Sequence, residues 1–157
     1  MTSSDIRKGA LALGALVLTS VAGQIATYPN LQPWYAQLAK PSFNPPNWVF
    51  APVWTTLYVL TAFSLWRVLR LPSTPTRRNT LLLFLVFLVM NAAWSWMFFA
   101  AHSPALGLIN ILPQTAIIVA LIVSTRRVDA RAALCLVPLL GWVAFASVLN
   151  FSIWRLN

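Results

Sequence analysis

The amino-acid sequence predicts an all-α integral membrane protein, a single bundle of five transmembrane helices whose long first loop acts as a lid. Three observations carry this. Five apolar runs each approach the roughly 20 residues that a spanning helix needs. Charged residues are 8% of the chain and hydrophobic ones 59%, against a soluble-domain norm of about 25% charged. The basic residues fall in short clusters between the apolar runs, as topology signals do.

The first run, approximately residues 9–27, follows Arg7 and Lys8 and superficially resembles a secretory signal. It is as long as a spanning helix, and Ala22-Gly23-Gln24 is a poor cleavage site, so it is expected to remain as the first helix. The segment from Trp34 to Tyr58 then packs four prolines, one lysine and seven aromatic rings into a connector that runs into a greasy helix. Ordinary connectors are short and polar; a stiff, ring-rich one at a membrane edge suggests a lid or wall for something flat and apolar.

The remaining runs cover approximately residues 48–68, 81–101, 105–124 and 132–154, so that residues 1–157 form one membrane domain with no room for a soluble catalytic one. The second connector carries two prolines and several arginines, and the third, around His102-Ser103-Pro104, is so short that helices three and four must be antiparallel neighbours. Pro52, Pro113 and Pro138 fall within apolar runs, where each removes a backbone donor and invites a kink. A kinked bundle can enclose a cavity. No internal repeat of the kind that marks secondary transporters is visible.

Sidedness follows from the charges. Arg7, Lys8, Arg67, Arg70, Arg77, Arg78, Arg126, Arg127 and Arg131, nine of the eleven basic residues, lie on one face of a five-span topology; Lys40 and Arg155 lie on the other. The positive-inside rule then puts the N-terminus and the arginine-rich loops in the cytoplasm, and the first loop and the C-terminus across the membrane. Which membrane holds the protein is open. The net charge of +9 reads as topology and headgroup contact rather than nucleic-acid binding.

The inventory of reactive groups is short. Asp5 and Asp129 are the only acids, and no Asp, Glu, Lys or Arg lies mid-helix, so proton relay, ion coupling and carboxylate metal binding lack their parts. Cys135 is single and His102 is single, so neither a disulfide framework nor a metal site is expected. His102 reads as a solvated residue at a helix end or, alternatively, as one axial ligand to a haem. No serine or threonine has a base beside it that would make it a nucleophile.

What the helices do carry is rings and amides at helical spacing. Asn91, Trp94 or Ser95, Phe98 and His102 share one side of the third helix; Trp142, Phe145 or Ala146, Leu149 and Asn150 share one side of the fifth; Trp54, Tyr58 and Thr61 align on the second. From spacing alone, two readings stand: Asn91 and Asn150 are interhelical hydrogen-bond partners amid packing rings, or these faces line a binding site.

The run Trp34-Tyr35-x-x-Leu38-x-Lys40-Pro41-x-Phe43-x-Pro45-Pro46-x-Trp48 with Trp54 resembles the first loop and second helix of the tryptophan-rich sensory protein and translocator protein family, the peripheral benzodiazepine receptors. Asn91-x-x-Trp94-x-x-x-Phe98-Phe99 resembles that family's third-helix motif, and Pro138-x-x-x-Trp142-x-x-Phe145-Ala146-Ser147-x-Leu149-Asn150 with Trp154 and Asn157 its fifth. The resemblance implies a five-helix protein, commonly a homodimer, that binds tetrapyrroles such as protoporphyrin IX and haem, and in some members cholesterol and synthetic isoquinoline or benzodiazepine ligands. It implies a pocket beneath the first loop lined by Tyr35, Pro45, Trp54, Asn91, Trp94, Phe98, Trp142, Phe145 and Ala146.

The role so implied is a membrane receptor that senses, sequesters or transports a planar apolar ligand, with the tetrapyrrole as ligand and no cofactor or metal required. The alternatives are light-dependent porphyrin breakdown, with Trp54 and Trp142 as candidate electron donors, or passive transport or scaffolding of lipid or porphyrin. The sequence departs from the family pattern in three places: Leu139 follows Pro138 where many members have tyrosine, Asn110 and Gln114 stand where relatives often carry an acid and a tryptophan, and Phe151 replaces the tyrosine of the sterol-recognition segment. Sterol binding is not inferred from that segment. Gly9, Gly14, Ala15, Gly23, Ala105 and Gly107 are small residues that would permit the close helix approach of a dimer.

Overall fold

The structure, a computed structural model, describes residues 2–157. It is all-helical, and five of its helical stretches are long and apolar enough to cross a membrane. Helix α1 spans Ser3–Thr27 and opens on a reciprocal cap: the Asp5 N–H donates to Thr2 Oγ1 and the Thr2 N–H donates to Asp5 Oδ2. It does not stop at Thr27. A tight turn over Tyr28–Asn30 follows, the backbone kinks at Gln32, which is extended (φ −127°, ψ 136°), and a short helical turn beyond the kink carries Trp34 and Tyr35, which are therefore helical rather than part of the expected loop.

Proline spacing explains that difference. Pro29 sits in the first turn of its segment, where its missing N–H costs no hydrogen bond. The end of the helical turn that carries Trp34 and Tyr35 is then closed by Lys40, whose ammonium donates to the carbonyls of Tyr35 at 2.6 Å, Leu38 at 3.0 Å and Ala36 at 3.3 Å. Orphan carbonyls at a helix end need such donors. The irregular connector is therefore only residues 38–46. Its start is tied to the end of the chain, because the Ala39 N–H donates to Asn157 Oδ1 and Asn157 Nδ2 donates back to the Ala39 carbonyl, both at 3.0 Å.

Helix α2 (Asn47–Arg70) follows Pro46 and contains Pro52. Helix α3 (Pro75–Ser95), capped by Thr74 Oγ1, starts six residues before the expected position 81 because Pro75 suits a first turn and polar residues are tolerated where the helix leaves the bilayer. It continues through a wide turn over Trp96–Ala100. The tight passage to α4 (Pro104–Val128) is made at His102, which adopts φ +50°, and Ser103 Oγ caps α4 by accepting from the Leu106 N–H. The fifth span is broken into α5 (Ala130–Leu134) and α6 (Val137–Leu156). The expected kink at Pro138 is thus a break before it, with Pro138 in the first turn of α6.

At the arginine-rich end the bundle is sealed. Gly9 lets the Trp66 ring approach to 3.5 Å of where a Cβ would stand, and Trp66 Nε1 donates to the Asp5 carbonyl at 3.0 Å. Arg70 pairs with Asp5 and Arg67 with Asp129, each at 2.8 Å, and Arg77 donates to the carbonyls of Val68 and Leu69 at the end of α2. Burial pushes the Asp129 carboxyl up, but the hydrogen bond from Arg67, the N–H groups of Ala132 and Arg131 and the charge of Arg67 outweigh it and hold the group below its ordinary 3.8. Above this lies a dry core of Leu16, Val68, Phe84, Phe87, Ile118 and Leu136. Leu11, Leu18, Leu85 and Ile109 point outward, as lipid-facing side chains must.

Candidate functional site

Towards the other end the helices part around a cavity of about 390 Å³ that all five spans border. The geometry of α1 makes this room. Near Gly23 it leans on α3, where a Cβ would stand 3.1 Å from Ser95 Oγ and where Trp96 Nε1 donates to the Ala22 carbonyl. The lower half of the same helix leans on α2 through Gly9 and Trp66.

Seven of the nine residues expected to line a pocket do border this cavity: Tyr35, Trp54, Asn91, Trp94, Phe98, Trp142 and Ala146. Pro45 and Phe145 are not among its walls. Successive helical residues point about 100° apart, so with Ala146 facing inward Phe145 is turned aside, where it packs 5.5 Å from the Trp142 ring and 6.3 Å from Phe43 of the connector. Phe145 holds the connector against the bundle. Pro45 stays in the connector, its carbonyl accepting from Asn44 Nδ2.

Two amide systems set the polar character of the wall. Asn150 is pinned without ambiguity: Trp94 Nε1, a donor only, gives its hydrogen to Asn150 Oδ1 at 3.1 Å, and Asn150 Nδ2 donates to the Pro104 carbonyl, an acceptor only, at 2.8 Å. This ties α3, α4 and α6 together and consumes the Trp94 N–H. The second is a chain: Gln114 Nε2 donates to Asn91 Oδ1 at 3.1 Å, and Asn91 Nδ2 donates to the Tyr58 hydroxyl at 2.7 Å. The helical amides are thus interhelical hydrogen-bond partners, and Asn91 and Asn150 also border the cavity.

The rings are arranged for stacking. Trp94 and Phe98 lie parallel at 5.0 Å and 20°, and Trp142 meets Phe50 edge-on at 5.8 Å. No Asp, Glu, Lys, Arg or His borders the cavity. The indole N–H groups of Trp54 and Trp142 have no acceptor among the described residues, whereas those of Trp66, Trp94 and Trp96 are bonded within the protein. Nor is there any group of three or more metal-ligating side chains among the described residues.

The roof is fastened at the turn between α3 and α4. The Trp34 ring stacks on His102 at 4.7 Å and 12° and meets Phe98 edge-on at 5.6 Å. Asn30 Nδ2 donates to the Ala26 carbonyl, so its oxygen faces His102 Nε2 at 2.6 Å and the ring nitrogen is the donor. His102 is exposed and stands outside the cavity. Sequence reasoning missed the Gln114–Asn91–Tyr58 chain and the role of Gly107, whose missing side chain leaves space for Asn150 and Phe98: a Cβ there would stand 2.8 Å from an atom of each. The spacing of Gln114 from Gly107, two helical turns on one face, was the available signal.

Comparison with known proteins follows the same lines. The model of a family described as TspO/MBR matches residues 11–155. Among similar proteins, the tryptophan-rich protein TspO of Chlorobaculum tepidum is 40% identical over 152 residues, covering 94% of each chain. That of Archaeoglobus fulgidus is 35% identical over 161 residues, covering 98% of this chain and 99% of the relative. The Homo sapiens translocator protein is 36% identical over 126 residues, covering 79% of this chain and 75% of its own.

Proposed function

The chain belongs to the TspO/MBR family of membrane proteins, and we propose that it is a receptor for tetrapyrroles such as protoporphyrin IX and haem, and for similar planar apolar ligands, serving to sense, sequester or move them. The observation that carries this reading is an uncharged cavity of about 390 Å³ with indole rings, Trp54 and Trp142, brought to it from α2 and α6 and with a parallel Trp94–Phe98 pair from α3 and the wide turn that continues it. A flat aromatic ligand gains about 0.5–1.5 kcal/mol per stacked ring beyond its burial. The Asn91–Tyr58 pair supplies the few convergent polar groups that orient a ligand in an apolar pocket.

The names of the relatives fit a binding or carrying role: one is a translocator protein and another, from Cereibacter sphaeroides, a tryptophan-rich sensory protein. The test is equilibrium binding of protoporphyrin IX to the purified protein in lipid nanodiscs, followed by porphyrin absorbance. The Trp54→Ala, Trp142→Ala double variant is expected to weaken binding about 10- to 100-fold. An unchanged affinity would remove the cavity from consideration.

A further inference from the structure

Beside the cavity lies a second, outer groove of about 450 Å³, lined by Leu31, Gln32, Tyr35, Ala36, Lys40 and Asn47. Leu31, Tyr35 and Asn47 belong to both walls, so the groove and the cavity adjoin at these residues. The two spaces differ in chemistry. The inner one is uncharged, whereas the outer one holds a cation, Lys40, flanked by the side-chain amides of Gln32 and Asn47, which have no hydrogen-bond partner among the described residues. The two acids of the chain, Asp5 and Asp129, are paired with arginines at the opposite end and offer Lys40 no counter-charge.

Size separates the spaces further. A cavity of 390 Å³ is at the lower end of the roughly 300–1,000 Å³ that holds drug-sized ligands, and a tetrapyrrole with its side chains outgrows it. Part of such a ligand must lie outside.

Resting on the tetrapyrrole reading above, we infer that the site is bipartite: the ring system enters the inner cavity, and an acidic substituent crosses the Leu31–Tyr35–Asn47 divide to meet Lys40, Gln32 and Asn47. The ligand class is a planar amphiphile with a carboxylate at one edge. Lys40 already donates to three carbonyls, of which the 3.3 Å bond to Ala36 is the longest and the one a carboxylate replaces at least cost. A charge-assisted bond to the acid exceeds the neutral one it displaces. Gln32 and Asn47 each bring an N–H₂ group to the same anion.

The test compares protoporphyrin IX with its dimethyl ester, which has the same ring system without the charge. Both are titrated into wild type, Lys40→Gln, Lys40→Arg and the Trp54→Ala, Trp142→Ala double variant in zwitterionic nanodiscs. Wild type is expected to prefer the diacid by about fivefold. Lys40→Gln should remove that preference while leaving the ester's affinity in place, Lys40→Arg should keep it, and added salt should weaken the diacid alone. A diacid-to-ester ratio indifferent to Lys40→Gln overturns the inference, as does an equal loss for both porphyrins, which would make Lys40 a helix cap and nothing more. If neither porphyrin binds wild type, the tetrapyrrole reading itself fails. If both bind and lose affinity in the tryptophan double variant while the ratio ignores Lys40, only the bipartite arrangement fails.

Discussion

At one end of the bundle α1 meets α2 through Gly9 and Trp66, and arginines close the seam by pairing with Asp5 and Asp129; at the other end α1 turns to α3 through Gly23 and Ser95 and leaves α2 apart. The contrast lies in what fills the gap between helices. The sealed end puts one large ring against a glycine and satisfies its N–H with the Asp5 carbonyl. The hollow end puts large rings opposite one another, so that Trp54, Trp94 and Trp142 hold helices apart, and it ties those helices with amides. Helices separated by rings and joined by hydrogen bonds keep an empty space that close packing would otherwise remove.

The hollow end should therefore be the more sensitive to added volume. Gly107→Ala should be the most damaging small change, because its Cβ would stand 2.8 Å from both Asn150 Oδ1 and Phe98 Cδ2; we expect a loss of about 2–3 kcal/mol, read as a lowered Tm in detergent. A thermal midpoint equal to wild type would mean that Phe98 and Asn150 are free to shift. Asn150→Leu comes next, at about 2 kcal/mol, since it strands the Trp94 N–H in an apolar setting and removes the bond that ties α6 to the Pro104 carbonyl. Trp94 fluorescence should change with it, and an unaltered spectrum would argue against the pair.

The sealed end should respond less. Arg67→Ala leaves Asp129 without its partner, but the guanidinium is partly exposed, with 27% of its side-chain surface accessible, and the carboxylate keeps its two backbone donors; about 1 kcal/mol is expected. The pH dependence is smaller still. A carboxyl whose folded value lies below its ordinary 3.8 stabilises the fold above that value and loses the contribution as pH falls through the lower one. The Tm difference between wild type and Asp129→Asn should therefore be constant from about pH 5 to 8 and shrink below about pH 4. Gly14→Ala, with nothing within 4 Å of the added methyl, should leave the fold intact; a selective loss of self-association would identify that face as one that meets another helix.

Much of this was readable from the residues alone. Hydropathy located all five spans, because a bilayer demands long apolar runs and little else produces them. The faces of α2, α3 and α6 were legible from 3.6-residue spacing, which is why Trp54, Asn91, Trp94, Phe98, Trp142 and Ala146 meet around one space. The limits are equally physical. The proline- and ring-rich stretch from Trp34 reads as one long connector, and nothing local in it marks the short helical turn that carries Trp34 and Tyr35 beyond the kink at Gln32. Phe145 and Ala146 are neighbours in sequence and about 100° apart in space, and only the packed bundle shows which one turns inward. The pairing of Asn150 with Trp94 and Pro104 joins residues more than forty positions apart, beyond the reach of any local pattern.

The clasp between Asn157 and Ala39 has a practical consequence for anyone who labels this protein. A purification tag, fluorophore or fusion partner attached after Asn157 hangs beside the roof of the cavity and pulls on the amide that steadies it. The same attachment ahead of Ser3 lies at the other, arginine-rich end of the bundle, where the helices are already shut.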